Sequence, residues 1–298
     1  MANVFSIFIK SVELYFRNFI SFFKYMAFPV FGQLLGLLWI LIVSYFYINN
    51  LPQLLENKIF NSFSIVFLVL LLITLPGLFV MLKAFWEYLV AYGAINSMLD
   101  GLLKSGKIYD FPAHNEVVIR KTPKFIGIWV IISLLTLVCI FPLFWIFGLI
   151  FFIYFILVFQ VFIFEPDEGT FGCFKRSFEI IKGKFGWTLL LLIFIGVFST
   201  NFLPWLAEKF FDFCKFIDYL IMPIDSFVYL FPIDEINKNL SLNLTSLTIS
   251  KSVLSMGISF IISGLTLPMR TICWGLWYKK NVSAKSKIDK RILKRAES

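Results

Sequence analysis

The chain has 298 residues, 59% of them hydrophobic, with 39 phenylalanines and a formal net charge of +9. Its mean hydropathy of +0.86 exceeds what a soluble core can bury, which excludes a soluble domain and makes the bilayer the solvent for much of the chain. The apolar runs are continuous instead of alternating with period two, which excludes a β-barrel.

Residues 4–24 predict an amphipathic helix. Phe5, Phe8, Val12, Tyr15 and Phe19 share one stripe, opposed by Ser6, Lys10, Glu13, Arg17 and Ser21, the pattern of a helix lying in the membrane interface. Charges at Lys10, Glu13, Arg17 and Lys24 sit where a secretory signal would be apolar, so a signal peptide is not expected. A first span follows at 27–48. A second, 62–82, keeps its apolar character to Leu99, interrupted only by Lys83 and Glu87. One unbroken helix over that stretch would measure about 57 Å, so it is expected to kink near Pro76-Gly77 and project into the cytoplasm, or to break and lie along the interface.

Spans three and four occupy 125–140 and 142–164, joined by a tight turn at Pro142. Residues 168–183 then repeat the first helix. Phe5, Phe8, Lys10, Ser11, Glu13, Leu14 and Phe19 return 166 positions later as Phe171, Phe174, Arg176, Ser177, Glu179, Ile180 and Phe185, with Phe178 on the second apolar stripe. Glu116 to Lys121, just before the third span, reads as a degraded third copy. Spans at 186–203 and 253–278 complete six. Between them Glu208, Asp212, Lys215 and Asp218 form a polar stripe among phenylalanines, expected to be an interfacial helix on the outer face. The fold expected is all-α: one polytopic bundle over 1–280 with an internal repeat, then a basic tail over 281–298.

Orientation follows from basic residues beside the spans. Placing both termini and the 83–124 and 165–185 loops on the cytoplasmic side collects 22 of the 27 Lys and Arg residues there, counting Arg270 near the end of the last span with the tail. The tail, dense in Lys from Lys279 onward, is expected to wet anionic lipid headgroups; it lacks the aromatic interleaving of a nucleic-acid surface, so no nucleic acid is expected.

Catalytic patterns are scarce. His114 is the single histidine, which precludes a two-histidine metal site, and it reads as a solvated loop residue. No phosphate-binding loop or nucleophile elbow occurs. The four cysteines show no paired spacing and read as small buried hydrophobes. No enzyme, metal or cofactor is expected. Lys83 and Glu87, four residues apart on a helix, and Arg270, just after Pro268, are the candidate lipid or substrate contacts. Gln33 and Gln160 are expected to bond between helices.

The segment Phe164 to Phe185, in which a span ends in Glu165 and is followed by Gly169, Lys175-Arg176-Ser177 and Lys182-Gly183-Lys184-Phe185, resembles six-helix bacterial membrane proteins related to the membrane domain of some glycerophosphodiester phosphodiesterases. Leu276-Trp277-Tyr278-Lys279-Lys280 adds to the likeness. The resemblance implies a bacterial inner-membrane bundle without the soluble catalytic domain. Two functions stand open: an accessory module that binds lipid or a membrane-protein partner, and a transporter or lipid translocator with a cavity between repeats.

Overall fold

A computed structural model describes residues 2–56, 62–106, 108, 110–229, 233, 237–238 and 243–296; side chains beyond residue 283 lie outside the description, including the tail bases from Lys285 onward. The described residues form an all-α bundle. Five of its helices are each long and apolar enough to cross a membrane, and a bent pair raises the number to six.

Helix α1 (Ala2–Arg17) stops at Asn18, and α2 (Phe19–Asn49) begins at once. The expected helix 4–24 is therefore two helices. After the short α3 (Leu51–Glu56), α4 runs unbroken from Phe63 to Ser105. Ser62 caps its start and Gly106, at φ 71°, ends it; the left-handed turn there suits glycine. At 43 residues α4 is about 64 Å long, with Pro76 inside it. Of the two expected courses the break is absent, because α2 supports the proline turn. Trp39 donates its indole N–H to the Ile73 carbonyl at 3.1 Å, and Gly36 lies so near Gly77 that an added Cβ would meet the Gly77 oxygen at 2.5 Å. Small residues let helix backbones close up in this way.

The second hairpin opens with α5 (Phe111–Ile119), which bends by 75° into α6 (Thr122–Val138). A 3₁₀ turn at Pro142–Phe144 leads into α7 (Trp145–Phe155) and α8 (Val158–Phe164), so the expected span 142–164 is interrupted at Ile156-Leu157. Next come α9 (Thr170–Ile181), α10 (Phe185–Gly196), a π-helical turn at Val197–Phe202, α11 (Leu203–Phe213) and α12 (Phe216–Val228). The last hairpin closes with α13 (Ser246–Leu265) and α14 (Leu267–Ala296). Here the expected span 253–278 is corrected: it divides at Thr266, two residues before a proline that cannot supply a backbone donor.

Each short helix docks on a returning helix of another hairpin. α5 packs on α4, α9 on α8, and α1 on α14, while α4, α8 and α14 also touch one another. The arrangement thus occurs three times and closes on itself. Its core lies where the returning helices meet, around Ala91, Ile95, Leu99, Val161, Ile272 and Cys273, all fully buried. Away from that centre, large apolar side chains such as Phe46, Phe79, Leu143 and Ile146 are exposed, as expected of a surface solvated by acyl chains.

Candidate functional site

The turn at Arg120-Lys121 bends α6 away from α5 by 75°, and a cleft lies between α6 and α4. Trp86 and Leu89 of α4 form one wall; Ile126, Trp129, Val130, Ser133, Leu134 and Leu137 of α6 form the other, enclosing about 510 Å³. Ser133 carries the only hydroxyl in this lining. Aromatic rings brace the cleft, with Trp129 packed on Phe159 at 4.8 Å and edge-on to Tyr92 at 5.2 Å. Such a surface has little to offer a polar solute and suits a hydrocarbon chain.

Lys83 lies one turn of α4 before Trp86. It is exposed, with its ammonium 5.7 Å from the Phe28 ring. Glu87 is half-buried on the same helix, within electrostatic reach of Tyr25, whose hydroxyl donates to Asn115 Oδ1 at 2.6 Å. Among the described residues no ion pair joins Lys83 to Glu87; α2 packs against α4 and draws Lys83 onto a ring instead. Arg270 sits apart from both. Its Nη2 donates to the Ser263 carbonyl at 2.8 Å, capping the end of α13, and its buried Nε meets no acceptor.

The short helices are built into the bundle. Val4, Ile7, Ser11 and Tyr15 form the buried stripe of α1; Cys173, Phe174, Ser177, Ile180 and Ile181 form that of α9. Phe8 is half-buried and edge-on to Phe198 at 5.4 Å, while Lys10 is exposed. Phe174 is 7% exposed and packs edge-on to Phe155, whereas Phe178 is 41% exposed beside Tyr154. Arg176, the basic residue of the second motif copy, ties α9 to the end of α8. Its Nε reaches both Glu165 oxygens at 2.9 and 3.1 Å, and Nη1 reaches Glu179 at 3.5 Å. Desolvation works against the guanidinium charge, but the Glu165 hydrogen bonds and charge outweigh it and hold Arg176 above its ordinary value. Tyr278 donates to the same Glu165 at 2.5 Å, and its neighbour Lys279 pairs with Asp100, so α14 is tied to the α8–α9 junction by one cluster and to α4 by another.

His114 is also corrected. It is 6% exposed on α5, with Nδ1 3.0 Å from Ser97 Oγ, because α5 folds onto α4. Gln160 does bond between helices, donating to Asn96 Oδ1 at 3.3 Å, but Gln33 donates to Pro29 of its own helix. Cys173 and Cys273 are buried; Cys214 is exposed. The cleft itself was missed, since Trp86 and Trp129 look like core residues in an apolar run and nothing local marks them as walls. No family model matches this chain. Neither a curated protein nor a solved structure is significantly similar to it.

Proposed function

We propose that the protein is a non-catalytic module of a bacterial inner membrane that binds lipid, with both termini cytoplasmic. The α4–α6 cleft carries this reading, since its volume and apolar lining fit an acyl chain. The three helix-plus-hairpin arrangements are read as copies of one ancestral unit, and the resemblance to the phosphodiesterase membrane-domain group is kept as a proposal resting on the Phe164–Phe185 motif. The basic tail adds contact with anionic lipid, and a membrane-protein partner is compatible with the exposed apolar hairpins.

The test is native mass spectrometry of the protein extracted gently from its own membrane. Retained lipid that disappears in Ser133→Trp, which fills the cleft, supports the reading; retention unchanged by that substitution removes it. A lipid translocator is the second reading, favoured by the broken helix at Thr266, since interrupted spans line the paths of many transporters. Lipid scrambling by the purified protein in proteoliposomes, lost in Ser133→Trp, would select it over simple binding.

A further inference from the structure

Helix α10, the π-helical turn and α11 form one continuous stretch from Phe185 to Phe213, apolar and long enough to cross a membrane. Glu208 is half-buried near the C-terminal end of that stretch. Its carboxylate reaches across to α13, where Oε1 accepts from the Ser255 hydroxyl at 2.5 Å. Among the described residues it forms no ion pair. Acids on membrane-spanning helices face a partner or a functional cavity, and Glu208 lines a cavity.

That cavity, about 540 Å³, lies between the π-helical turn, α11 and α13, a volume that suits a small molecule. Asn201, Trp205 and Glu208 line it together, and their spacing of four and then three positions puts them on one helix face. The π-helical turn at Val197–Phe202 adds Thr200 and Phe202 to the lining; such turns recur at functional sites. The polar groups lean toward acceptance. Thr200 donates its hydroxyl to the Gly196 carbonyl at 2.9 Å, and Asn201 donates an amide N–H to Thr200 Oγ1 at 3.2 Å. Asn201 Oδ1 and the second Glu208 oxygen remain to accept, with the Ser259 hydroxyl across from them on α13. The Phe202 and Trp205 rings stand 6.1 Å apart beside these oxygens, and no Lys or Arg lines the cavity.

We infer that this cavity binds an organic ammonium group, with Glu208 as its counter-charge and Phe202 and Trp205 as its aromatic wall. A carboxylate answers the charge, the other oxygens accept N–H bonds, and the rings attract a cation. A divalent metal fits less well, because it needs several oxygen ligands and a single acid lines the cavity. The inference goes beyond the acyl-chain reading, and the site shares no lining residue with the α4–α6 cleft. Two sources carry such a group: the headgroup of an aminophospholipid and a free amine.

The experiment offers full-length protein equal amounts of phosphatidylethanolamine and phosphatidylglycerol with the same chains, and scores the ratio retained in native mass spectrometry. Putrescine is titrated separately and scored as a shift in the thermal unfolding midpoint. The basic tail is the same in every variant, so each ratio is read against wild type. Glu208→Gln, which keeps an acceptor for Ser255, is expected to lower the ethanolamine-to-glycerol ratio about tenfold. Trp205→Leu leaves the carboxylate and its hydrogen bond in place and should lower it about threefold. Asp212→Asn removes the same charge from α11 outside the lining and should leave the ratio unchanged. That pattern assigns a lipid headgroup. A ratio that no variant alters, with putrescine stabilising wild type but not Glu208→Gln, assigns a free amine instead. Equal falls in Glu208→Gln and Asp212→Asn overturn the inference, as does the absence of both effects. Stabilisation by magnesium chloride that depends on Glu208, without any amine effect, overturns it in favour of a metal site.

Discussion

The hydroxyl of Tyr15 donates to the backbone carbonyl of Leu265 at 3.0 Å, across 250 positions of sequence. Leu265 is the last residue of α13, and the final carbonyls of a helix lack partners within it. Tyr15 from α1 satisfies one of them, and Arg270 from α14 satisfies another at Ser263. The first short helix thus holds the break in the last hairpin, and this contact ties the first described helix of the chain to the last two.

Tyr15→Phe keeps the ring and removes that donor alone. We expect a loss of about 1–2 kcal/mol, measured as a lower midpoint in reversible detergent unfolding. An unchanged midpoint would show that water or another donor takes the place of the hydroxyl.

Ser177 makes the corresponding contact in α9, donating to the Tyr154 carbonyl at 2.7 Å and accepting from the Leu157 N–H at 3.3 Å. It spans the interruption between α7 and α8. Ser11, its counterpart in the first helix, donates to Phe8 of its own helix at 2.7 Å and lies within side-chain reach of the buried Cys273 thiol, without meeting a backbone group of another helix. Ser177→Ala should therefore cost about 1–3 kcal/mol and Ser11→Ala less than about 1 kcal/mol. Equal losses in thermal denaturation of the two variants would contradict this difference in role.

Gly36 and Gly257 both lie in apolar helices but differ in surroundings. A Cβ at Gly36 would collide with the Gly77 oxygen at 2.5 Å and the Met81 nitrogen at 2.7 Å; one at Gly257 meets nothing within 4 Å. Gly36→Ala should separate α2 from α4 and destabilise by about 1–3 kcal/mol, whereas Gly257→Ala should be neutral or stabilise by a few tenths. Cysteine crosslinking between α2 and α4 reports the separation directly.

Phe174 and Phe178 were placed together on one apolar stripe by their spacing, but their burial differs. Phe174→Glu introduces an unpaired charge into the protein interior and should abolish stable accumulation. Phe178→Glu, at a site 41% exposed, should leave a clearly larger fraction folded, scored by protease resistance in membranes. Comparable loss in both variants would place Phe178 against acyl chains instead of water.

Much of the architecture was legible because helical periodicity and apolar run length are local properties. The helix boundary after α9 falls at Lys182-Gly183, and Gly183 has φ 80°, a conformation that glycine adopts without strain. The Phe19 and Phe185 that close the two motif copies are also the first residues of α2 and α10. The face that each short helix buries was harder to read: Ser11 and Ser177 are polar and belong to neither apolar stripe, yet both are fully buried, because one hydroxyl can satisfy a neighbouring carbonyl.

The candidate site was legible only in part. Arg270 stood out as a charge in an apolar run, but its capping of Ser263 depends on the bend at Thr266. Lys83 and Glu87 had the spacing of an ion pair, and packing against α2 decided otherwise. Composition, run length and residue order by themselves determined a multi-pass helical membrane protein, because the bilayer demands long apolar helices wherever it is the solvent. Tertiary structure alone decided which short helix clasps which return helix and where the α4–α6 cleft opens. Those features arise from contacts between residues far apart in the chain, and no local periodicity encodes them.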